Sequence, residues 1–143
     1  MTERRRDIDT QLKKLTVPLL RQRGFKGSYP HFYRDIDGHV DLVMFQFRSD
    51  GSSFVVEISY ADPDRRNVYF RPETPVDRLQ VSATSKRRRL GKSATGEVDS
   101  EWLKLDHGLR TTQARHFSKL ALRVNDLLLR EAEPWWAANR HAI

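Results

Sequence analysis

The runs that define the architecture of this chain lie in residues 31–61, which read HFYRDIDGHVDLVMFQFRSDGSSFVVEISYA. Segments rich in β-branched and aromatic residues are separated there by Asp37-Gly38 and by a polar stretch at 49–52. An Asp-Gly pair between such segments favours a tight hairpin, because a primed turn needs positive φ at its centre. We therefore predict antiparallel strands at residues 31–36, 39–48 and 53–61.

The distribution of apolar residues indicates which of these strands is central. The second strand carries apolar side chains on both faces, which is typical of a strand in the middle of a sheet. The third strand alternates, so we expect one buried face and one largely wet face. The apolar face of this third strand consists of Phe54, Val56, Ile58 and Tyr60. Residues 68–70 are a candidate for a short fourth strand.

Apolar residues at intervals of four, three and four predict an amphipathic helix near the start of the chain. They are Ile8, Leu12, Leu15 and Leu19. Gly24, which follows basic residues, is a good left-handed stop for this helix. Pro18 interrupts the pattern, because a proline inside a helix removes a hydrogen bond and clashes one turn back. We expect either a kink at Pro18 or two short helical pieces.

A second amphipathic helix is predicted after Thr111 or Thr112, either of which would cap it. Its apolar stripe consists of Phe117, Leu120, Ala121, Val124, Leu127 and Leu128. Pro134 is expected to end the helix. The indoles of Trp135 and Trp136 then either pack back over the core, which we favour, or form an exposed contact patch.

These elements predict an α+β fold, in which an antiparallel meander sheet of about four or five strands is packed by an N-terminal and a C-terminal helix. A chain of 143 residues is long enough for one core, so residues 1–143 are expected to form a single domain. We expect residues 1–7 to be a disordered basic tail and residues 134–143 a C-terminal extension. Residues 71–110 show no regular pattern and suit a long loop or flap.

The chain has a net charge of +7 and a pI near 10.0. This charge is unevenly distributed along the sequence. Residues 1–30 carry +5, residues 31–85 carry −3 and residues 86–143 carry +5. The basic excess therefore belongs to the two ends, with dense runs at Arg4–Arg6 and Lys86–Arg89. Such runs are either solvated surface or sites that attract phosphate.

The composition excludes several classes of protein. Because the sequence has no cysteine, it has no disulfide framework, thiolate zinc site or cysteine nucleophile. No segment approaches the roughly 20 apolar residues of a membrane span, and residues 1–11 lack the apolar stretch of a secretory signal. We therefore expect a cytoplasmic protein without a membrane partner.

Candidate catalytic groups do not have the spacing that their chemistry needs. The five histidines show no metal-ligand pattern. Asp41 and Glu57 lie on neighbouring predicted strands, as the carboxylates of metal-dependent nucleases do, but Ser59 stands where those enzymes have a lysine. We predict no catalytic residue, no metal and no cofactor, and we do not expect an enzyme.

One polar residue, Gln46, interrupts the apolar face of the central strand. A buried amide needs partners, because leaving it unsatisfied costs about 1 to 3 kcal/mol. The candidate contacts for a ligand or partner in this region are Arg34, Gln46, Arg88, Arg89 and Trp102. In the alternative, Gln46 sits at the sheet rim with its amide in water. Any enzymatic activity would involve Gln46, Arg34 and His107.

Several short motifs occur in the order found in a known family. They are Gly24-Phe25, Phe32-Tyr33-Arg34, Phe45-Gln46 with Ser49, Phe54-Val55-Val56, Arg89-Leu90-Gly91 and Trp102. With the Leu-rich helix before them, they make residues 8–130 resemble a bacterial family catalogued as domain of unknown function 4304. The resemblance implies a small α+β domain with a meander sheet flanked by helices. It implies no activity, cofactor or catalytic residue.

Three functions remain open at this point. The first is a non-enzymatic bacterial binding or interaction domain that contacts a protein or a small anionic ligand through the less apolar sheet face and residues 86–102. The second is nucleic-acid binding through residues 4–6 and through Lys86, Arg87, Arg88 and Arg89. The third is an immunity-type inhibitor of a bacterial toxin, although an inhibitor of a basic nuclease would be acidic.

Overall fold

The structure, a computed structural model, describes residues 3–49, 53–91, 103–104 and 113–141. The helices are α1 (Glu3–Gln11), α2 (Val17–Gln22), α3 (Gln113–Leu127) and α4 (Glu133–His141). The strands are β1 (Lys26–Ser28), β2 (His31–Ile36), β3 (His39–Phe47), β4 (Ser53–Ala61), β5 (Arg88–Arg89) and β6 (Leu103–Lys104). Short 3₁₀ turns lie at Val76–Arg78 and Val81–Ala83, and π-helical turns at Leu12–Thr16 and Leu128–Ala132.

Strands β1 to β5 follow one another in an antiparallel meander, and β6 also pairs with β4. The predicted α+β meander with an N-terminal and a C-terminal helix is confirmed. Asp37 and Gly38 have φ values of 52° and 90°, as the predicted hairpin turn between β2 and β3 requires. Strand β1 was not predicted, because its three residues are all exposed and carry no apolar alternation.

The two faces of the sheet are covered by different parts of the chain. The helices pack on one face, here called the helix face, where Phe32, Val43 and Ile58 join the main core. The opposite face, here called the far face, packs against Val68, Leu79 and Val81 in a second, smaller core. All nine residues of β4 are buried as a result. The expectation of a largely wet face on this strand was wrong, because the segment after β4 folds back across it.

Residues 68–70 do not form the short strand considered above. Val68 makes a single antiparallel bridge to Thr84. Tyr69 and Phe70 are 67% and 58% exposed. The segment therefore contributes one buried side chain to the far face and turns its aromatic pair toward solvent.

The first helical segment is divided in the way that Pro18 predicts. A π-helical turn at Leu12–Thr16 precedes α2, and Pro18 lies in the first turn of α2. The extra residue of the π turn moves the buried stripe from Leu19 to Leu20, which is 1% exposed. Residues 3–7 are helical, where a disordered tail was expected. Arg5 helps to hold them, since its Nε lies 3.1 Å from Asp9 Oδ1.

The C-terminal helical segment repeats this construction. A π-helical turn at Leu128–Ala132 precedes α4, and Pro134 lies in the first turn of α4. Pro134 therefore does not end the helix, because the wider turn accommodates its ring and its missing N–H. Trp136 is 1% exposed and Trp135 is half-buried against the main core, so the prediction that the indoles pack back is confirmed. None of the described helices is long and apolar enough to cross a membrane.

Candidate functional site

A buried ion network joins the sheet to helix α4. Arg34 on β2 lies directly across from Asp41 on β3, and Arg34 Nε donates to Asp41 Oδ2 at 2.9 Å. Arg34 Nη2 also donates to Oε1 of Glu133, the first residue of α4, at 2.6 Å. Near the other end of α4, Arg140 Nη1 donates to Asp41 Oδ2 at 2.6 Å. Both ends of the helix are thus fixed to the same pair of strands.

Aromatic rings enclose the Arg34 side of this network. The guanidinium carbon of Arg34 lies 4.4 Å from the ring centroid of Phe25 and 5.3 Å from that of Trp136. Asp41 has no exposed surface, and its burial raises the pKa of its carboxyl against the opposing effect of Arg34 and Arg140. A buried ion pair of this kind fixes geometry well but adds little net stability over an apolar substitute.

His39 lies beside the network with its polar atoms unsatisfied. It is 4% exposed, and its ring stacks on Tyr60 with centroids 4.8 Å apart and planes at 14°. Within the described part of the chain, neither ring nitrogen of His39 has a hydrogen-bond partner. Asp41 Oδ1 also lacks one, and it lies 3.6 Å from His39 Nδ1. Burial lowers the pKa of His39 and favours the neutral ring. Polar groups buried this deeply are normally satisfied by protein, water or ligand.

A cleft of about 540 Å³ opens next to Tyr60, between the loop after β4, the segment before β5 and helix α4. We call it the α4 cleft. Its lining consists of Tyr60, Asp62, Arg66, Asn67, Ser85, Lys86 and Asn139. This volume falls within the range of about 300 to 1,000 Å³ that is usual for small-molecule sites.

The carboxylate of Asp62 in the α4 cleft already has its partners. Asp62 Oδ1 accepts the backbone N–H groups of Asp64 and Arg66 at 2.8 and 3.1 Å. Its Oδ2 accepts Arg66 Nε at 3.3 Å. Lys86 is exposed, and its ammonium forms no hydrogen bond or ion pair with the described residues. Asp62 therefore has little acceptor capacity left for a ligand, whereas Lys86 is a donor on the cleft lining.

The basic run at residues 86–89 is split between the two faces of the sheet. Arg87 and Arg89 lie with Glu57 on the far face, where Arg87 Nε bonds Glu57 Oε1 and Arg89 Nε lies 3.6 Å from Oε2. Arg88 pairs with Ile58 in the register and is turned to the helix face, with its Nη2 3.6 Å from Glu131 Oε1. Within this run, only Lys86 reaches the α4 cleft.

The structure does not bring the sequence-predicted site residues together. Gln46 is exposed on the far face opposite Val55, whereas Arg34 is buried on the helix face. The amide of Gln46 is therefore at the sheet rim, which was the alternative considered above. Trp102 and His107 lie outside the described residues.

The carboxylates compared above with a nuclease site are also separated. Asp41 lies on the helix face, whereas Glu57 lies on the far face, opposite Met44. Each is held by arginines of its own face. Within the described ranges, no three His, Asp or Glu side chains are placed to share a metal ion.

Sequence reasoning missed Glu133, Arg140 and Asn139. Asn139 and Arg140 lie in residues 134–143, which were expected to be an extension, and the partners of Glu133 and Arg140 lie 99 positions away in the sequence. The one available signal was a charged pair, Arg34 and Asp41, in strands that are otherwise apolar on that face, because buried charges are normally paired.

The comparison with protein families shows to which family the chain belongs. A family model described as Domain of unknown function (DUF4304) matches residues 16–138. The chain belongs to the DUF4304 family. No curated protein and no solved structure matches it. The part that matches the DUF4304 model includes Arg34, Asp41 and Glu133, and it ends just before Asn139 and Arg140.

Proposed function

We propose that this DUF4304 protein is a non-catalytic binding domain that takes a small ligand in the α4 cleft. The observation that carries the proposal is the position of His39 behind Tyr60, a lining residue of that cleft. His39 is more than nine-tenths buried and, among the described residues, has no partner for either nitrogen. His39 is not itself a lining residue, and a polar ligand or ordered water that reached it past Tyr60 would supply such a partner.

The surroundings of the cleft also support binding. Its walls come from three separate parts of the chain, and the ion network of Arg34 and Asp41 holds one wall, helix α4, in place. A site whose walls are fixed in advance binds with less loss of conformational freedom. We keep the cytoplasm as the expected compartment, since a chain without cysteine needs no oxidising environment for its fold.

Nucleic-acid binding is a weaker candidate. Three arginines of the basic run lie close to carboxylates of the same chain, Glu57 on the far face and Glu131 on the helix face. Internal pairing reduces the number of counterions that a phosphate backbone would displace. None of the described contacts specifically supports the immunity-type function.

A thermal-shift screen with neutral, cationic and anionic small molecules tests the proposed function. A ligand at about 100 times its Kd stabilises the folded state by about 2.7 kcal/mol, which raises Tm by several degrees. Ser85→Trp fills the cleft from an exposed position and is expected to abolish the shift.

Ser82→Trp is the matched control, because Ser82 is also exposed but does not line the cleft. The shift should survive in this variant. A screen in which no class of compound raises Tm, or in which both variants lose the shift equally, would overturn the proposed function.

A further inference from the structure

Resting on the proposed function, we infer that the α4 cleft recognises an oxyanion, the carboxylate or phosphate group of a small molecule, through Lys86 and Arg66. The argument depends on which polar groups of the cleft are already occupied. Asp62, the one carboxylate in the lining, accepts two backbone N–H groups and the Arg66 guanidinium. Its acceptor capacity is therefore largely used within the protein.

The amide of Asn67 is also engaged. Its Oδ1 accepts the backbone N–H of Asp62 at 3.0 Å, and its Nδ2 donates to the Tyr60 carbonyl. Donors left for a ligand are the Lys86 ammonium, the Ser85 hydroxyl and the remaining N–H groups of Arg66, beside one acceptor, Asn139 Oδ1. Because the charges of Arg66 and Asp62 offset each other, Lys86 gives the lining a net positive charge, which favours a ligand that is negative and rich in acceptors.

The two cations come from neighbouring segments of the backbone. Val68 bridges Thr84, and Ser85 N donates to Asn67 O at 2.9 Å. Arg66 immediately precedes Asn67, Lys86 immediately follows Ser85, and both side chains line the cleft. A single small oxyanion in the cleft therefore has both cations in its lining.

Helix α4 supplies the other wall of this site. Asn139 lines the cleft, and its Nδ2 donates to Trp135 O at 2.8 Å, which fixes the side chain along the helix. The buried ring of His39, stacked on Tyr60, provides a neutral polar group behind the wall. The lining thus combines a net positive charge with polar side chains from three parts of the chain, which suits a small anion with a polar body.

Titrations followed by amide NMR shifts test the inference, with inorganic phosphate in one arm and citrate in the other. Shifts should concentrate at residues 60–67, 85–86 and 139. Lys86→Gln should weaken binding about tenfold or more, because the variant loses a charge-assisted hydrogen bond to the anion. Lys14→Gln, which removes one exposed charge outside the cleft, should leave the affinity within about twofold.

The two arms and the two variants separate the outcomes. Binding of phosphate alone or citrate alone identifies the group that is recognised, and either result supports the inference. Equal weakening by Lys86→Gln and Lys14→Gln would overturn it, since a general charge effect would then explain binding. A neutral compound that binds wild type but not Ser85→Trp, while neither anion binds, would overturn the inference and leave the proposed function intact.

Discussion

Arg34 Nη2 lies 2.6 Å from Glu133 Oε1, a contact between residues that are 99 positions apart in the chain. Arg34 bonds Asp41 at the same time, so one guanidinium connects two strands to helix α4. Because Asn139 of α4 lines the α4 cleft together with Tyr60 of β4, the position of α4 helps to set the shape of this cleft. The ion network is therefore a positioning element for the proposed binding site.

Arg34→Ala is expected to destabilise the fold by about 3 to 5 kcal/mol, because Asp41 and Glu133 would keep buried charges without their main partner. Urea denaturation at neutral pH measures the change. Arg130→Ala is the matched control, since Arg130 pairs with Asp126 on the surface with 81% of its side chain exposed. It should cost no more than about 1 kcal/mol. Equal losses in the two variants would contradict a special role for Arg34.

Glu133→Gln is expected to reduce the stability of the fold at neutral pH and to change how that stability depends on pH. Burial acts to raise the pKa of Glu133, but hydrogen bonds from Arg34 and Arg23 outweigh it and lower the pKa below its usual 4.5. This stabilising contribution is complete above pH 4.5 and is lost as the pH falls through the lowered pKa. Urea midpoints of wild type and variant should therefore converge as the pH falls below 4.5. A constant difference down to pH 2 would refute the assignment.

His39→Phe keeps an aromatic ring on Tyr60 and removes the titration. Because burial lowers the pKa of His39 from 6.5, the unfolded chain binds a proton more readily than the folded one as the pH falls below 6.5. Wild type should lose stability over this interval, and the variant should lose less. Denaturation at pH 7.5 and pH 5.5 gives the comparison. A pH dependence that is the same in both proteins would speak against the assignment to His39.

Trp136→Ala is expected to cost about 3 to 5 kcal/mol, the usual range for removing a buried indole. Trp136 Nε1 also donates to the Ser59 carbonyl at 2.9 Å, so Trp136→Phe should lose that bond and cost about 1 kcal/mol. Trp135→Ala, at a half-buried neighbour, should cost less than Trp136→Ala. Thermal denaturation ranks the three variants, and a larger loss at Trp135 would overturn this order.

Glu57→Gln is expected to increase binding to a single-stranded oligonucleotide at low salt, because Arg87 and Arg89 would lose their carboxylate partner. Each phosphate that is newly neutralised by one of these arginines should steepen the dependence of log K on log salt by about 0.7. Fluorescence anisotropy across a salt series measures both quantities. Tight, strongly salt-dependent binding by wild type, unchanged in the variant, would make nucleic-acid binding the leading function instead of the proposed one.

The strands were predictable because their signal is local. Alternation and an Asp-Gly turn specify β2 and β3 without knowledge of the rest of the chain. Pro18 likewise predicted a division of the first helical segment. The π turn at the point of division was not predictable. It shifts the buried stripe by one residue, from Leu19 to Leu20, and this shift is visible only in the packed structure.

The cleft and its supports depend on contacts between distant residues. Segment 62–84 has no hydrophobic periodicity. Its packing across the far face could therefore not be inferred from its own sequence or from the alternation in β4. Glu133 and Arg140 appear in the sequence as ordinary charged residues. The pairing of Glu133 with Arg34 and of Arg140 with Asp41 follows from the packing of α4. Lys86 was identified as one of a basic run, but only the structure shows that it lines the cleft while Arg87 bonds Glu57 on the far face.

The outer strands of the sheet are very short. Strand β1 has three residues, and β5 and β6 have two each. A long exposed edge presents unpaired backbone groups on which a strand from another molecule can add, and such addition leads to aggregation. The described edges offer an incoming chain only a few such groups. Their shortness protects in crowded solution a sheet whose two longest strands, β3 and β4 at nine residues each, would otherwise be good templates for polymerisation.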